Sequence, residues 1–209
     1  MGYNSSGLTK TEKFTINISS TSDSKFGFFT DQRDNQTYRT VKIGDQIWLA
    51  NNLNYQTSNS WVYDNNQNNA DLYGRLYTWQ SAIAACPVGW HLPTDEEWKQ
   101  LERYLGMSES EIEEDDYGNR RGTTEGDKLK VGGTSGLNIL FGGIYSRNQY
   151  FSWDEEAFVD MNQYGVYWTN TSGNYGSWAF CRIISQEYSG ITRIGIAQSE
   201  GAYVRCIKD

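Results

Sequence analysis

Cys86-Pro-Val-Gly-Trp-His-Leu-Pro-Thr-Asp-Glu-Glu-Trp98 decides how the middle of this chain folds. Upstream of it, Trp79, Ala82, Ile83 and Cys86 recur at helical spacing and predict one apolar face on a helix over Tyr77 to Ala85. Pro87 and Gly89 stop that helix. Thr94-Asp-Glu-Glu97 then reads as a capping box, with the Thr hydroxyl on the third amide and Glu97 reaching back. Trp98, Leu101 and Leu105 give this second helix a buried stripe, and Gly106 is placed to end it. The closing stretch, Tyr203-Val-Arg-Cys-Ile-Lys-Asp209, is a short apolar strand that carries a second cysteine.

Outward from these anchors the pattern is mostly strands. Phe26 to Leu53 reads as paired strands, with a polar turn at Asp31 to Gln36, alternation over Tyr38 to Ile43, a turn at Gly44-Asp45 and a return strand over Gln46 to Ala50. Asn59 to Asp71 is an Asn-rich loop without a core pattern, and Met107 to Gly126 is a polar stretch. Short strands separated by glycines follow at Leu137 to Phe141, Gly165 to Trp168, Trp178 to Ile184, Ile191 to Ile196 and Ala202 to Ile207. Central helices between strands predict an α+β domain over 26–209 with adjacent N- and C-terminal strands. Residues 1–25, in which only Phe14 to Ile18 alternates, read as a tail or the remnant of a preceding domain.

Composition narrows the partners. A net charge of -8 excludes phosphate-backbone recognition, so no nucleic acid is expected. No apolar run reaches the ~20 residues of a membrane span. The first residues lack the pattern of a signal peptide, which leaves an internal protein or one whose leader has been removed. Three cysteines allow at most one intrachain disulfide. Cys86 and Cys206, each at the edge of an apolar element, are the favoured pair, and such a bond implies an oxidising compartment. Two buried free thiols are the alternative.

Catalytic chemistry is thinly represented. The single His, His91, sits in a turn and reads as a packing or hydrogen-bonding residue, and Cys181 as a small buried hydrophobe. The acidic run Glu109 to Asp116 has carboxylates for calcium but not the spacing of a calcium loop, so it reads as a solvated face, with calcium left open. Binding has more support. Asn170-Thr-Ser-Gly-Asn-Tyr-Gly-Ser-Trp178 has the polar, glycine-rich, aromatic composition of recognition loops. The expected ligand-binding set is Tyr167, Asn170, Ser172, Asn174, Tyr175, Trp178, Phe180, Arg182 and Tyr188. Trp168 is assigned to the core. Alternation over Trp178 to Ile184 allows either parity outward; the cost of burying Arg182 favours Phe180 and Arg182 facing solvent.

Asp31-Gln-Arg-Asp34, Val41 to Asn54, Tyr73 to Trp79, Cys86 to Thr94, Gly126 to Lys130, Tyr167 to Thr171 and Val204 to Asp209 together resemble the Fibrobacter succinogenes major paralogous domain, in order, from about Phe28 to the end. The resemblance implies a C-type-lectin-like fold shared with the formylglycine-generating enzymes. It also implies a disulfide from first helix to last strand, matching Cys86 and Cys206, and a secreted or cell-surface protein of Bacteroidetes and their relatives, with carriage by a phage left open. Some members of this fold are variable proteins of diversity-generating retroelements, and Tyr167 to Arg205 lies where the diversified segment would. The Glu-Pro-Asn and Trp-Asn-Asp motifs of calcium-dependent lectins are absent. The function expected is therefore non-enzymatic capture of a protein or glycan, as an adhesin or a diversified receptor. The alternatives are an enzyme related to the formylglycine-generating group, or a structural module of a larger surface protein.

Overall fold

A computed structural model describes residues 24–114, 121–147, 157–173 and 176–209. The expected strand over Phe14 to Ile18 and the candidate residues Asn174 and Tyr175 lie outside the described residues. Among those described, the strands are β1 Phe26–Thr30, β2 Thr37–Ile43, β3 Gln46–Leu49, β4 Ser60–Trp61, β5 Leu76–Tyr77, β6 Trp90–His91, β7 Gly142–Ser146, β8 Ala157–Met161, β9 Tyr164–Ser172, β10 Trp178–Ser185, β11 Ile191–Ala197 and β12 Ile207–Lys208. The helices are α1 Asn68–Tyr73, α2 Trp79–Ala85, α3 Asp95–Leu105, α4 Glu109–Glu113 and α5 Glu125–Leu129.

Two five-stranded sheets carry the fold, in the orders β1-β2-β3-β12-β6 and β11-β10-β9-β7-β8, with β4 and β5 as a separate ribbon. All pairings are antiparallel except β7 with β9. The last strand does not lie beside the first. Ile207 pairs with Trp48 of β3 and His91 of β6, so β12 fills the gap between them and is two strands removed from β1. The expected adjacency holds for the sheet and fails for the strand pair, because β1 and β2 form a local hairpin that occupies the edge.

The helix signals act as expected. Thr94 Oγ1 accepts from the Glu97 amide at 3.2 Å, and the Thr94 amide donates to Glu97 Oε2 at 2.8 Å, completing the capping box. Gly106 closes α3 at φ 108°, a left-handed conformation that other residues adopt at a cost. The first predicted helix begins two residues late, at Trp79, because the Thr78 hydroxyl caps it by accepting from the Ser81 amide. Two stretches expected to lack structure contain it. The Asn-rich segment supplies α1 and buries Val62, Tyr63 and Ala70. The acidic run starts as α4, capped by Ser108 and Glu111 with Ile112 buried beneath. Its last two residues, Asp115 and Asp116, lie outside the described set. The strand expected at Leu137 to Phe141 lies five residues later, as β7.

Alternate residues of β9 enter two separate apolar clusters. Tyr167 joins Trp48, Trp98, Leu101 and Tyr203, while Val166 and Trp168 join Tyr38, Leu49, Tyr77 and Cys181. The strand is thus covered on both faces, as is characteristic of a central strand between two layers. Cys86 and Cys206 form a disulfide across 120 residues, fastening the end of α2 to the segment entering β12. In the chain-entropy treatment a loop of this length stabilises the fold by about 5 kcal/mol.

Candidate functional site

The expected binding set divides when placed on the fold. Asn170 and Ser172 are exposed near the end of the hairpin where β9 connects to β10, and Trp178 begins β10 beside them, half-buried. The hairpin's backbone is fixed: the Asn170 amide donates to Pro93 O at 2.7 Å, the Asp95 amide to Thr171 Oγ1 at 2.9 Å, and the Gly173 amide to Trp178 O at 2.8 Å. The Gln198 side chain also donates to Trp178 O. These residues therefore stand next to the start of α3. Tyr188 lies in the turn at the far end of β10, about 23 Å away at the usual rise per strand residue. It shares no surface with Trp178.

Tyr167, Phe180 and Arg182 are not surface residues, which corrects the expectation for each. Tyr167 is fully buried, its hydroxyl donating to Leu140 O at 2.9 Å. Phe180 is buried beneath the Arg193 guanidinium, 4.1 Å from its ring centre. Arg182 is 0% exposed. Its outward assignment rested on the cost of burying a charge, and that cost is offset by carboxylates from α3. Arg182 Nη1 donates to Asp95 Oδ1 at 2.7 Å, and Nε donates to Glu102 Oε1. Cys181, on the opposite face of the strand, is buried as well. Ile183, of the same parity as Cys181, is half-buried, so neither parity presents an open face and alternation could not have chosen between them.

Around Arg182 lies the densest group of charges in the described molecule. Arg193 stands directly across from Arg182 in the β10–β11 register, a like-charge pairing that is unfavourable alone. Asp95 resolves it by accepting from both, with Arg193 Nη2 2.7 Å from Oδ2. Glu102, also 0% exposed, accepts from Arg182 and from both terminal nitrogens of Arg121, at 3.0 and 2.8 Å. At the rim, Lys99 donates to Glu113 at 2.7 Å. Burial alone would raise the Asp95 carboxyl, but the bonds and charges of Arg193 and Arg182 hold it down at about 2. Burial pulls Arg121 below its ordinary value despite Glu102. It acts likewise on Arg182, where Glu102 and Asp95 reverse it and leave the guanidinium raised. Two carboxylates thus face three arginines. Sequence reasoning missed this group; the only available signal was that Asp95 and Glu102, seven residues apart, lie on one side of α3.

Arg205 is a second buried cation of a different kind. Its donors reach Asn52 Oδ1 at 2.7 Å and the carbonyls of Leu49, Leu137 and Asn138 at 2.9–3.2 Å. Carbonyl dipoles rather than a carboxylate hold it, and burial pulls its pKa down. Arg205 pins two separate segments, Leu49 to Asn52 and Leu137-Asn138, to the approach of β12.

Groups with catalytic potential are already engaged. His91 Nδ1 lies 2.6 Å from Asp209 Oδ1 and Nε2 lies 2.8 Å from Glu97 Oε1. Burial would lower its pKa, but the two carboxylates override this and raise it, favouring an imidazolium clasp between the chain end and the α3 cap. Burial pushes the Cys181 thiol up to about 12, which keeps it protonated and unreactive at neutral pH. Among the described residues no group of three or more His, Cys, Asp or Glu is arranged to hold a metal ion. Among the same residues no helix is long and apolar enough to cross a membrane.

The family described as the Fibrobacter succinogenes major domain matches residues 41–208, most of the chain. The chain belongs to that family, as the motifs in its sequence indicated. No curated protein and no solved structure matches it.

Proposed function

We propose that this chain is a non-enzymatic ligand-binding domain of C-type-lectin-like fold, secreted or displayed at a cell or phage surface, that captures a protein or glycan at the end of the hairpin where β9 connects to β10. One observation carries the reading. Exposed Asn170 and Ser172, with Trp178 beside them, rise from a hairpin whose base is locked by Asp95, Arg182 and Arg193. Polar and aromatic groups held on a rigid frame lose little entropy when a ligand arrives. The disulfide suits an oxidising compartment. Tyr188, at the opposite end of the sheet, is left out of this surface, and Tyr167, Phe180 and Arg182 act as its support.

The test is capture on a printed array of host and bacterial glycans and surface proteins, comparing the native chain with Asn170→Arg and Ser172→Arg. Both positions are exposed, so each variant should unfold at the native temperature while losing its captured spots. Variants that fold normally and retain every spot would place the binding surface elsewhere. A sharper version of the reading is diversification by a retroelement. DNA near the gene would then hold a near-copy of the segment encoding Tyr167 to Arg205, with mismatches at adenines. Those mismatches should reach Asn170, Ser172 and Trp178 and spare Arg182, Arg193 and Arg205, whose partners are buried. Mismatches spread evenly over buried and exposed codons would contradict the placement.

A further inference from the structure

Among the described residues β1 is the outer strand of its sheet, in the order β1-β2-β3-β12-β6. Its sequence, Phe26-Gly-Phe-Phe-Thr30, has no proline and no charge, and its pairing with β2 is regular, so the usual devices that blunt a sheet edge are missing. That pairing also fixes which backbone groups look outward. The Ala50 amide donates to Arg39 O at 2.7 Å and the Arg39 amide donates to Asn51 Oδ1 at 2.8 Å, so the Arg39 backbone turns away from β1. Phe28 stands directly opposite Arg39, and in an antiparallel ladder the polar groups of such a pair turn away from each other. The amide and carbonyl of Phe28 therefore point out at the sheet edge. The flanking carbonyls have local donors: Phe26 O accepts from Ser24 Oγ at 2.7 Å, and Thr30 O accepts from Gln32 Nε2 at 3.3 Å.

The side chains repeat the contrast. The Phe26 ring lies against Gly136, where an added Cβ would come within 2.7 Å of it. Phe29, on the other face, packs on Trp90 with ring centres 5.1 Å apart. Phe28 is 77% exposed. An outward-facing backbone and an uncovered ring thus coincide at one residue, and a further strand would cover both. The chain supplies a matching segment. Phe14-Thr-Ile-Asn-Ile18, within the 23 residues that precede Ser24, alternates apolar and polar side chains. The link from Ser19 to Lys25 is polar throughout. Setting Ile16 opposite Phe28 puts Ile18 opposite Phe26 and Phe14 opposite Thr30, so the three apolar side chains share the face of Phe28. The same register makes Ile16 and Phe28 a hydrogen-bonded pair that exchanges both amide–carbonyl bonds. So short a tether holds the segment near the edge at a high effective concentration. We propose that Phe14 to Ile18 adds to β1 of its own chain as a sixth, antiparallel strand of this sheet, covering Phe28.

NMR of the isotope-labelled 209-residue chain tests the strand and its register together. A strong contact between the Hα atoms of Asn17 and Gly27 is expected, because these residues fall opposite each other in a non-hydrogen-bonded pair, where the two backbones approach closest. The Phe28 amide should exchange with deuterated solvent at least about tenfold more slowly in the native chain than in Ile16→Pro, which has no amide proton for the Phe28 carbonyl and breaks the added strand. Ile16→Val should exchange like the native chain. The amide of Trp168, bonded to Tyr203 O in the core, should keep its native rate in both variants, which confines the effect to the edge. Absence of the Asn17–Gly27 contact in the native chain, or a Phe28 amide indifferent to Ile16→Pro, would overturn the proposal. So would a contact that arises only between labelled and unlabelled copies in a mixed sample, because the edge would then take its strand from a second copy.

Discussion

Replacing Glu102 with Gln should be among the most damaging single changes in this protein, whereas removing its partner Arg121 should be much milder. Glu102 is fully buried and accepts three bonds from Arg121 and Arg182. Gln keeps the shape but removes the charge and turns an NH2 group toward a guanidinium. The inner group of Asp95 and Glu102 against Arg121, Arg182 and Arg193 carries one surplus positive charge, because two carboxylates face three cations. Glu102→Gln doubles that surplus, whereas Arg121→Met cancels it and leaves Glu102 paired with Arg182. Breaking a buried pair so that a cation is stranded costs about 3–5 kcal/mol. At about 2–4 °C per kcal/mol for a chain of this size, the midpoint should fall by roughly 6–20 °C. Arg121→Met deprives the Ile112 carbonyl of its donor but leaves Glu102 paired with Arg182, so its cost should be about 1–2 kcal/mol. Urea unfolding of the oxidised protein at neutral pH, followed by tryptophan fluorescence and extrapolated linearly, measures both. The reasoning is refuted if Arg121→Met costs as much as Glu102→Gln, because the surplus charge would then have no energetic meaning.

Three further outcomes are expected. Replacing both Cys86 and Cys206 with Ala should remove about 5 kcal/mol in the chain-entropy treatment, and a reductant should lower the native melting temperature comparably; a midpoint indifferent to reductant would show the bond to be idle. His91 has a raised folded pKa, so its contribution is fully present below the ordinary value of 6.5 and fades as pH rises through the folded value. That contribution should be below about 1 kcal/mol at so exposed a site, and His91→Gln should flatten the stability profile between pH 6 and 8; an NMR titration giving a pKa under 6.5 would contradict it. Cys181 should resist a thiol reagent in the folded, oxidised protein and react fully once unfolded, whereas rapid labelling of the native state would reopen the thiol-enzyme reading.

Local chemistry made much of the frame legible. The capping box at Thr94, the glycine stop at Gly106 and the turn at Gly44 each depend on residues close in sequence, and all are present. The pairing of Cys86 with Cys206 was legible because only three cysteines exist and two of them edge apolar elements. The binding set fared less evenly because exposure is decided by what packs on a strand from elsewhere. Arg182 reads as a surface residue until Glu102, 80 residues earlier, is brought beside it. Trp178 and Tyr188 read as one aromatic patch until β10 is drawn as a straight strand with one at each end. The Asn-rich and acidic segments read as loops because the few apolar residues that anchor them, Tyr63 and Ile112, are too sparse to show a period.

The disulfide also determines how the domain would carry mechanical load. Tension applied between the two ends of the folded domain enters at Asp209, reaches Cys206 and crosses directly to Cys86. The residues between those cysteines, including the hairpin, its arginine frame and most of α3's partners, lie outside the covalent force path. A steady pull can unravel β1 to α2 and slide out β12, yet it cannot extend the closed loop. Stretching the oxidised protein should therefore release only the contour length of the segments outside the loop, and a tether under flow would keep the candidate binding surface within an unextended covalent ring.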